Sequence, residues 1–376
     1  MSRQSQALSV VIIGTTWPTV GGVASAIEDQ RAALERVGLR VRIVNTGERR
    51  RTEPNAVRLE NVTAVFRDVG RVFRSIGRGR EPLAAIHTTG SPILPLLRVL
   101  ALVLATRLAG ARVVLHLHGY DFESEVARAG RAYRLVGWAV GRLTSAVVAL
   151  HPAMARAAES LFPTRVVVVP NGVAVRPLPS DGVERTRARR ALFVGTVGRR
   201  KGLLELLEAT RLSQVPVDVV GGPGEESMDA HQEVLAAGRD MAETGLVVFH
   251  GEVPRTRVQT LLESTSVFIL PSHAEGLPVS LLEAMERGVP VVVTDVGGMG
   301  ALVRSSGCGI VVAVGDAGGI ASATERIVSD AALRRRMGDA ARRAIVETHN
   351  QTSVSTALVD VYRAAACRGR ERDGCA

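Results

Sequence analysis

Residues 267–303 read "VFILPSHAEGLPVSLLEAMERGVPVVVTDVGGMGALV", and this segment carries the clearest secondary-structure pattern of the chain. It opens with a β-branched and aromatic run, passes through a Gly/Pro turn into an apolar helix-like run, and reaches a second strand-like run, "VPVVVTD". Strand, helix and strand in that order predict a parallel βαβ unit. Two carboxylates stand at notable points of it: Glu275 in the Gly/Pro turn and Glu283 inside the helical run.

The same alternation of strand-like and helix-like runs extends along the whole chain. The strand candidates are "LSVVIIG", "VRIVN", "LAAIHTT", "RVVLHLH", "AVVAL" and "RVVVVP" in the first half, then "ALFVG", "VDVVGG", "LVVFHG", "SVFILPS", "VPVVVTD" and "GIVVAV". The pattern predicts an α/β protein with two Rossmann-like, doubly wound domains. In such sheets ligands bind at the carboxyl ends of the strands, so we expect the functional residues directly after strands.

Chain length and one polar seam predict the domain boundaries. A chain of 376 residues is too long for one ordinary core. The seam "RPLPSDGVERTRARR", residues 176–190, is rich in proline, glycine and charge, as linkers are. We expect an N-terminal domain over 1–174, a C-terminal domain over 175–352, a helix over 353–367 that crosses back to the N-terminal domain, and a disordered tail over 368–376.

Composition excludes several classes of protein. Hydrophobic residues make up 46% and charged residues 22%, which are globular values. The formal net charge of +10 raises the alternative of nucleic-acid binding, but aromatic residues are only 3% and no basic stretch is interleaved with stacking side chains. Among the 47 basic residues Lys201 is the single lysine, which makes its position informative.

The sequence predicts a cytoplasmic protein. Its three cysteines form no CxxC pair, which indicates reduced thiols. The run Ile93–Leu108 is interrupted by a proline and two arginines and is too short to span a bilayer. The apolar run Ala7–Ile13 is minimal for a secretory signal and is followed by "WPTVGG".

The turn around Glu275 has the features of an anion site. The backbone N–H groups of Gly276 and Leu277 stand at the positive end of the helix that follows, where a phosphate binds well. A carboxylate there would repel a phosphate unless it served another group, such as sugar hydroxyls. The alternative interpretations are a solvated loop residue for Glu275 and an ion pair with Arg287 at i,i+4 for Glu283.

The full stretch from Val267 to Val303 resembles the donor-site signature of retaining GT-B glycosyltransferases, glycosyltransferase family 4. This family includes sucrose synthases and mannosyltransferases, and two glutamates separated by seven residues are its hallmark. The resemblance implies two domains facing each other across a cleft. It also implies that Glu275 holds hydroxyls of the transferred sugar and that Glu283 accepts hydrogen bonds from the nucleotide ribose.

A second motif, "FVGTVGRRKG" at 193–202, is a strand that ends in a glycine turn before basic residues. It does not fit the Walker pattern of P-loop proteins. In the family an arginine after the first glycine and the lysine before the last glycine clamp the donor diphosphate. Lys201 matches that lysine, whereas Thr196 stands in the place of the arginine. Arg199 or Arg200 is then the substitute, and Arg200 is assigned to the diphosphate site.

The first half contributes "HGYDF" (118–122) and "PTVGGVASAIEDQ" (18–30). His118 matches a family histidine that contacts the donor sugar across the cleft, and it completes the predicted catalytic set with Lys201 and Glu275. We expect His116 to point to the opposite face of its strand. Gly21 and Gly22 resemble the family's Gly-Gly loop, where the backbone approaches the diphosphate or acceptor closely.

Shorter matches place a nucleotide pocket in the second half. "VVGGPGEE" and "FHGEVP" occur where family members line that pocket, which implies nucleotide or ribose contacts for Gly222, Glu252 and Val253 beside Glu283. The junction motif "VPNGV" departs from the common pattern by having Ala174 instead of aspartate.

No D-x-D motif and no His/Cys ligand pattern is visible, so the sequence predicts no metal site and no cofactor. The co-substrate would be a nucleotide-diphosphate sugar. The acceptor would be a hydroxyl of a glycan, a lipid-linked glycan or a small-molecule natural product. Two alternatives of the same fold stay open: a nucleotide-sugar epimerase, and a pseudo-glycosyltransferase that couples unusual donors and acceptors.

An amphipathic run in the first half raises peripheral membrane contact at the inner face of the cell membrane. The apolar stripe comprises Val62, Val65, Phe66, Val69, Val72, Phe73 and Ile76, and away from it lie Arg67, Arg71, Arg74 and Arg78. One interpretation is a helix packed on the sheet with a solvated basic face. The other is a basic face that meets anionic lipid or an anionic acceptor.

Overall fold

The structure, a computed structural model, describes residues 8–16, 22–46, 59–79, 83–89, 93–177, 188–223 and 228–367. Gly21, most of the predicted linker and the predicted tail 368–376 lie outside these residues. The chain divides into two compact units, 1–171 with 351–376 and 172–350.

The first unit is built on a six-stranded parallel sheet. Its strands are β1 (Ser9–Gly14), β2 (Arg40–Asn45), β3 (Leu83–Thr88), β4 (Arg112–Leu117), β5 (Ala146–Ala149) and β6 (Val166–Val168), in the order β2-β1-β3-β4-β5-β6. Its helices are α1 (Gly22–Arg36), α2 (Leu59–Gly79), α3 (Ile93–Leu108), α4 (Phe122–Ala127), α5 (Arg131–Leu143) and α6 (Pro152–Leu161). Residues 10–13 of β1 are fully buried, because helices on both faces of a parallel sheet demand continuous apolar strands.

The second unit repeats this architecture with the strand order β12-β11-β10-β7-β8-β9. Its strands are β7 (Ala188–Val194), β8 (Val217–Val220), β9 (Val247–Gly251), β10 (Thr265–Leu270), β11 (Val291–Thr294) and β12 (Gly309–Val312). A short 3-10 turn (Arg199–Lys201) precedes α7 (Leu203–Ser213), α8 (Met228–Ala237), α9 (Arg239–Glu243), α10 (Arg255–Ser264), α11 (Val279–Glu286), α12 (Met299–Ser306), α13 (Ala317–Ser329) and α14 (Ala331–Thr348). All twelve predicted strands are present, so the predicted α/β class with two doubly wound sheets is confirmed.

The last helix, α15 (Gln351–Cys367), packs on the first unit against α1 and β4. Its residues Val354, Leu358 and Tyr362 belong to the same core cluster as Ile27 of α1. Gln351 fastens the start of the helix by donating its side-chain amide to the Asp29 carbonyl at 2.8 Å. Among the described helices, none combines the length and apolar content that a bilayer span requires.

The stripe predicted on α2 is wrong in part. Val72 and Ile76 are buried, but Phe66 is 72% and Phe73 49% exposed. The physical reason is width: at about 100° per residue the seven positions cover an arc of about 120°, and the two phenylalanines lie at its border beside Arg74. The elements that pack against α2 cover only the other side of that arc, where Val72 and Ile76 lie. The side chains of Val62 and Arg78 lie outside the described residues.

Candidate active site

The strongest candidate site of the second unit lies where its strand order reverses. β7 and β10 are neighbours, while the strands that follow them, β8 and β11, run outward in opposite directions. The segments after the two strands, residues 195–202 and 271–276, therefore meet at the carboxyl edge of the sheet. Open α/β sheets bind ligands at this switch point because no crossover helix covers it.

Lys201 and Glu275 form a direct ion pair at this point, between Nζ and Oε1. Both side chains are largely buried, 12% and 8% exposed. Ser272 Oγ donates to the same carboxylate oxygen at 2.8 Å. Thr294 Oγ1, at the end of β11, donates to the Ser272 carbonyl at 2.5 Å and holds the loop against the next strand. Both charges are recognisable in the sequence, whereas their direct contact and the roles of Ser272 and Thr294 appear only in the structure.

Glycine at 202 is required by the backbone at this corner. Gly202 has φ +71°, and a Cβ there would lie 2.0 Å from the Pro271 carbonyl oxygen. Its positive φ and the close approach of the two loops both exclude a side chain. The "RKG" sequence thus ends the 3-10 turn, starts α7 one residue later and leaves Lys201 facing the loop after β10.

Arg200 and Arg199 diverge from each other. Arg200 donates Nη1 to the Ala274 carbonyl at 3.2 Å and accepts at its own carbonyl from the His273 N–H at 2.8 Å. Arg199 is exposed and bonds Glu233 at 2.5 and 2.7 Å. Of the two arginines proposed to replace the family's clamp, Arg200 is therefore the one beside the loop that carries Glu275.

Thr196, which stands where the family has an arginine, has a buried hydroxyl without a hydrogen-bond partner in the described part of the chain. It lies in the turn directly after β7. The turn is tied to its neighbour by bonds from the Gly195 N–H to the Val220 carbonyl at 3.0 Å and from the Val197 N–H to the Gly222 carbonyl at 2.8 Å. A buried hydroxyl with no partner is costly, so it marks a place where a ligand atom would be favourable.

Glu283 lies on α11, which begins at Val279 directly after the loop of Gly276 and Leu277. Its carboxylate Oε1 accepts from Arg255 Nε at 2.8 Å and Nη2 at 2.6 Å, although Arg255 itself is exposed. The predicted helix is present, and Pro278 is its N-cap. The contact with Arg255 has no local sequence signal, because it comes from α10, 28 residues earlier.

The other predicted nucleotide contacts occupy the next two strand ends. Gly222 follows β8, and a Cβ there would lie 2.6 Å from Oε1 of Glu252, which follows β9. Val253 is the next residue and is half-buried. Glycine at 222 thus lets the carboxylate of Glu252 approach the β8 turn, and it places both segments along the same edge as Thr196 and Lys201.

In the first unit the predicted residue His118 follows β4 and is part of a histidine cluster. His118 Nε2 lies 2.8 Å from His87 Nδ1, and the His87 and His116 rings stack with centroids 4.5 Å apart. His116 Nε2 in turn lies 3.0 Å from the hydroxyl of Tyr362. The expectation that His116 points to the opposite face is wrong, because residues two apart in a strand share a face.

Burial keeps these imidazoles neutral. It lowers the pKa of His118 to about 4 and that of His116 to about 3, with the neighbouring His118 adding to the second effect. The pKa of His87 is also well below its usual value, first through burial and then through the two other imidazoles. The cluster therefore carries no charge near neutral pH and acts through hydrogen bonds.

The sequence shows no pattern of metal-ligating residues, but the structure brings three histidines together. One nitrogen from each of His87, His116 and His118 lies within 4.8 Å of the others. The sequence hid the group because His87 comes from a different strand. The 2.8 Å separation of the bonded nitrogens is shorter than the roughly 3.3 Å between two nitrogens that share one zinc ion at about 2.0–2.1 Å. The geometry is that of a hydrogen bond rather than of a metal centre.

The remaining predicted residues of the first unit are the two glycines. Gly21 lies outside the described residues, and Gly22 is the first residue of α1. Gly119, directly after His118, is required by packing, since a Cβ there would lie 2.3 Å from the Thr89 carbonyl oxygen. This close approach holds His118 against the end of β3, where its backbone N–H also bonds the Thr88 carbonyl at 2.8 Å.

Comparison with known proteins places this chain and its fold in a class. Residues 179–344 match the family "Glycosyl transferases group 1", and residues 21–172 match "Glycosyl transferase 4-like domain". The sucrose-phosphate synthase of Thermosynechococcus elongatus superposes with a TM-score of 0.78 at 18% identity, covering 95% of this chain and 98% of that one. The architecture is therefore the GT-B fold.

Two curated relatives are also glycosyltransferases. A glycogen synthase of Mycobacterium tuberculosis is 26% identical over 63% of this chain and 62% of its own length, so the match spans about three fifths of that protein. An Escherichia coli UDP-Gal:alpha-D-GlcNAc-diphosphoundecaprenol alpha-1,3-galactosyltransferase is 27% identical over 75% of this chain and 76% of that protein. The chain belongs to the GT-B glycosyltransferases of the group 1, or family 4, type.

Proposed function

We propose that this chain is a retaining glycosyltransferase that moves a sugar from a nucleotide-diphosphate sugar to a hydroxyl acceptor without a metal ion. The observation that carries the proposal is the buried pair of Lys201 and Glu275 at the switch point of the second sheet. Such a pair places a cation beside a carboxylate that can accept hydrogen bonds from sugar hydroxyls. This arrangement suits a ligand in which a sugar is joined to a diphosphate.

Lys201 is proposed to bind the donor diphosphate. A diphosphate would give the ammonium a second anionic partner and draw it from Glu275, whose carboxylate keeps the Ser272 hydroxyl and becomes available to sugar hydroxyls. Arg200 and the backbone N–H groups of Gly276 and Leu277, just before α11, add positive potential at the same place. The hydroxyl of Thr196 can donate to a phosphate oxygen where the family has an arginine.

Glu283 and the segment around Gly222 are proposed to bind the nucleoside. Glu283 is a carboxylate held on a helix, and carboxylates accept well from the two hydroxyls of a ribose. Its bonds to Arg255 keep it oriented. Glu252 and Val253, beside Gly222, stand at the next strand ends, where a base attached to that ribose would extend.

In the proposed reaction the bond between the sugar C1 and the diphosphate oxygen breaks, and a bond from the acceptor oxygen to C1 forms on the same face. The acceptor proton passes to an oxygen of the leaving diphosphate. Negative charge therefore grows on the diphosphate in the transition state, where Lys201 stabilises it. His118 is proposed to contact the transferred sugar as a neutral hydrogen-bonding group.

The first donors to test are UDP sugars, because the name of the galactosyltransferase relative gives UDP-Gal as its donor and a diphosphoundecaprenol-linked sugar as its acceptor. The acceptor class we propose is a glycan or a lipid-linked glycan, with a small-molecule natural product as the alternative. An epimerase of the same fold is the main rival, and it differs by turning over its nucleotide sugar with no acceptor present.

We expect one of the UDP-, GDP-, ADP- and TDP-sugars to raise the melting temperature of the protein, by mass action on the folded state. With that donor and an acceptor panel, the nucleoside diphosphate should be released in the presence of the acceptor and in excess EDTA. Product anomers, read by NMR, should keep the donor configuration. Turnover without acceptor would support the epimerase, and loss of activity in EDTA that magnesium restores would contradict the metal-independent mechanism.

A peripheral contact with anionic membrane is proposed for the layer formed by α2, α3 and α5, hereafter the α2–α3–α5 face. These helices pack side by side. Their exposed large apolar residues are Phe66, Phe73, Leu97, Leu104, Leu108, Leu135 and Trp138. Among their described side chains, every exposed charged residue is an arginine: Arg67, Arg74, Arg107, Arg131, Arg134 and Arg142. Apolar groups amid unopposed positive charge match the boundary of an anionic lipid surface.

We expect the protein to float with vesicles that contain anionic lipid and to dissociate as salt rises, since the arginine contribution is screened. Replacing Phe66 and Trp138 together with serine should weaken flotation about tenfold or more, because each apolar side chain contributes roughly 1.5–3 kcal/mol when buried. Val168→Ser, an exposed apolar position on β6, is the matched control and should leave binding unchanged. Equal flotation on neutral vesicles, or none, would contradict the proposal.

A further inference from the structure

Two buried histidines, a half-buried histidine and a buried tyrosine form a continuous polar chain inside the first unit. It starts at Gln30 on α1, whose amide donates to the Tyr362 hydroxyl at 3.0 Å. It continues through His116, stacks onto His87 and ends at His118. Of these residues, only His118 belongs to the site predicted from the sequence.

The bond between His87 and His118 is directed along the rings. Their planes differ by 16° and their centroids are 5.0 Å apart, while Nδ1 of His87 and Nε2 of His118 are 2.8 Å apart. Rings in face contact cannot bring two nitrogens that close, so these two rings meet edge to edge. One proton lies between the two nitrogens, and its position decides whether the other nitrogen of His118, Nδ1, presents an N–H or a lone pair to a ligand.

The other nitrogen of His87 decides where that proton belongs. His87 is 8% exposed, and its Nε2 is buried with no hydrogen-bond partner among the described residues. If His118 donated the proton, His87 would have to carry its own proton on Nε2 and bury an unpaired N–H. Unpaired buried N–H groups are rarer than under-used acceptors. The arrangement that leaves a lone pair at this nitrogen puts the proton on Nδ1 of His87.

We propose that His87 is a positioning residue that donates from Nδ1 to Nε2 of His118 and so holds His118 as the tautomer protonated on Nδ1. His118 then presents an N–H donor, rather than a lone pair, to an oxygen of the transferred sugar or of the diphosphate. This inference rests on the proposed function for its ligand, but the tautomer itself is a property of the unliganded protein.

The fold supports this role from both sides of His87. Gly14 at the end of β1 leaves room for it, because a Cβ there would lie 3.1 Å from the His87 Cβ. On the other side His116 is fixed by Tyr362, since a hydroxyl that accepts from Gln30 can give its own proton to His116 Nε2. The titratable groups that the structure places against His87 are the two other imidazoles, and both are neutral near pH 7 for the reason of burial given above.

The experiment reads the His118 tautomer by two-bond ¹H–¹⁵N NMR of the imidazole nitrogens in the unliganded, full-length protein at pH 7. We expect His118 to be protonated on Nδ1 in the wild type. In His87→Phe, which keeps the ring stack but removes the donor, His118 should shift toward protonation on Nε2. His87→Asn should retain the wild-type tautomer, because its amide N–H can occupy the position of Nδ1.

Donor turnover then separates positioning from a merely structural role. His87→Phe should lower kcat/KM by about tenfold, the effect of one lost hydrogen bond, and His87→Asn should recover most of it. His116→Phe removes the bond to Tyr362 but leaves the His87–His118 bond, so it should keep the tautomer. Thermal unfolding of each variant shows which of them are folded. If His87→Phe is not folded, the wild-type and His87→Asn spectra decide whether His87 sets the tautomer of His118.

Three results would overturn the proposal: a wild-type His118 protonated on Nε2, a tautomer that does not change in folded His87→Phe, or a stoichiometric metal ion bound at the three imidazoles. The two tautomer results do not bear on the proposed transfer reaction, whereas a bound metal ion would also contradict its metal independence. Absence of any donor binding with the expected tautomer present would contradict the proposed function alone.

Discussion

Lys201→Ala is expected to lower kcat by about 10²–10³-fold, the range observed when one group that stabilises a developing anion is removed. Nucleotide affinity should fall as well, because the ammonium contacts the diphosphate before the sugar–phosphate bond breaks. Lys201→Arg should recover only part of the rate, since a planar guanidinium does not fit the place of a compact ammonium between Gly202 and Glu275. The measurement is donor turnover and nucleotide affinity of the three proteins.

The structure requires a stability control for this experiment. Removing Lys201 leaves the buried carboxylate of Glu275 without its ionic partner, and breaking a buried pair destabilises a protein by about 3–5 kcal/mol. The double variant Lys201→Met/Glu275→Gln removes both charges and should restore much of the lost stability without restoring activity. Arg211→Ala, an exposed cation on α7 that pairs with Glu208, should change neither. An arginine variant as active as the wild type would contradict the specific role of the lysine.

Glu275→Gln is expected to lower kcat/KM by about 10–100-fold, which corresponds to about 1.5–3 kcal/mol for a hydrogen bond to a charged group. The amide is nearly isosteric, so it keeps the contact with Ser272, whereas alanine would leave both Ser272 and Lys201 without this partner. Because Glu275 is buried in a bonded network, glutamine is the cleaner test.

The matched control is Glu205→Gln, which changes a carboxylate that bonds His273 in the same loop region at 2.9 Å. It should stay within about twofold of the wild type, as expected when only a partly exposed pair is lost. Kinetics with varied donor and varied acceptor would show whether the loss at Glu275 lies in donor binding or in the rate step. Unchanged kinetics for Glu275→Gln would remove this residue from the proposed site.

Several features of the fold and the site could be predicted from the sequence because their signals are local. Each strand of the two sheets is a β-branched run that ends in a turn residue, so the twelve strands and their α/β class were predicted correctly. The segments of Glu275 and Lys201 were placed after strands for the same reason, and the parallel arrangement then brings strand ends to one edge.

Other features could be seen only in the tertiary structure, because they are contacts between segments that are far apart in the sequence. The contact between Lys201 and Glu275 links residues 74 positions apart, and it depends on β7 lying beside β10. His87 gave no signal by itself, since its partner His118 comes from the neighbouring strand 31 positions later. The border of α2 was misjudged for a related reason: a helical period shows which residues share a face but not how much of that face its neighbours cover.

The α/β class, the strands, the family resemblance and the residue types available for a donor site follow from the sequence, because they depend on periodicity, turn residues and a contiguous motif. Which of those residues touch follows from the tertiary structure alone. The Lys201–Glu275 pair, the Glu283–Arg255 pair and the histidine chain all arise from strand order and crossover packing. Side-chain charge and hydrogen-bonding capacity belong to each residue, but burial and partners belong to the fold that surrounds it.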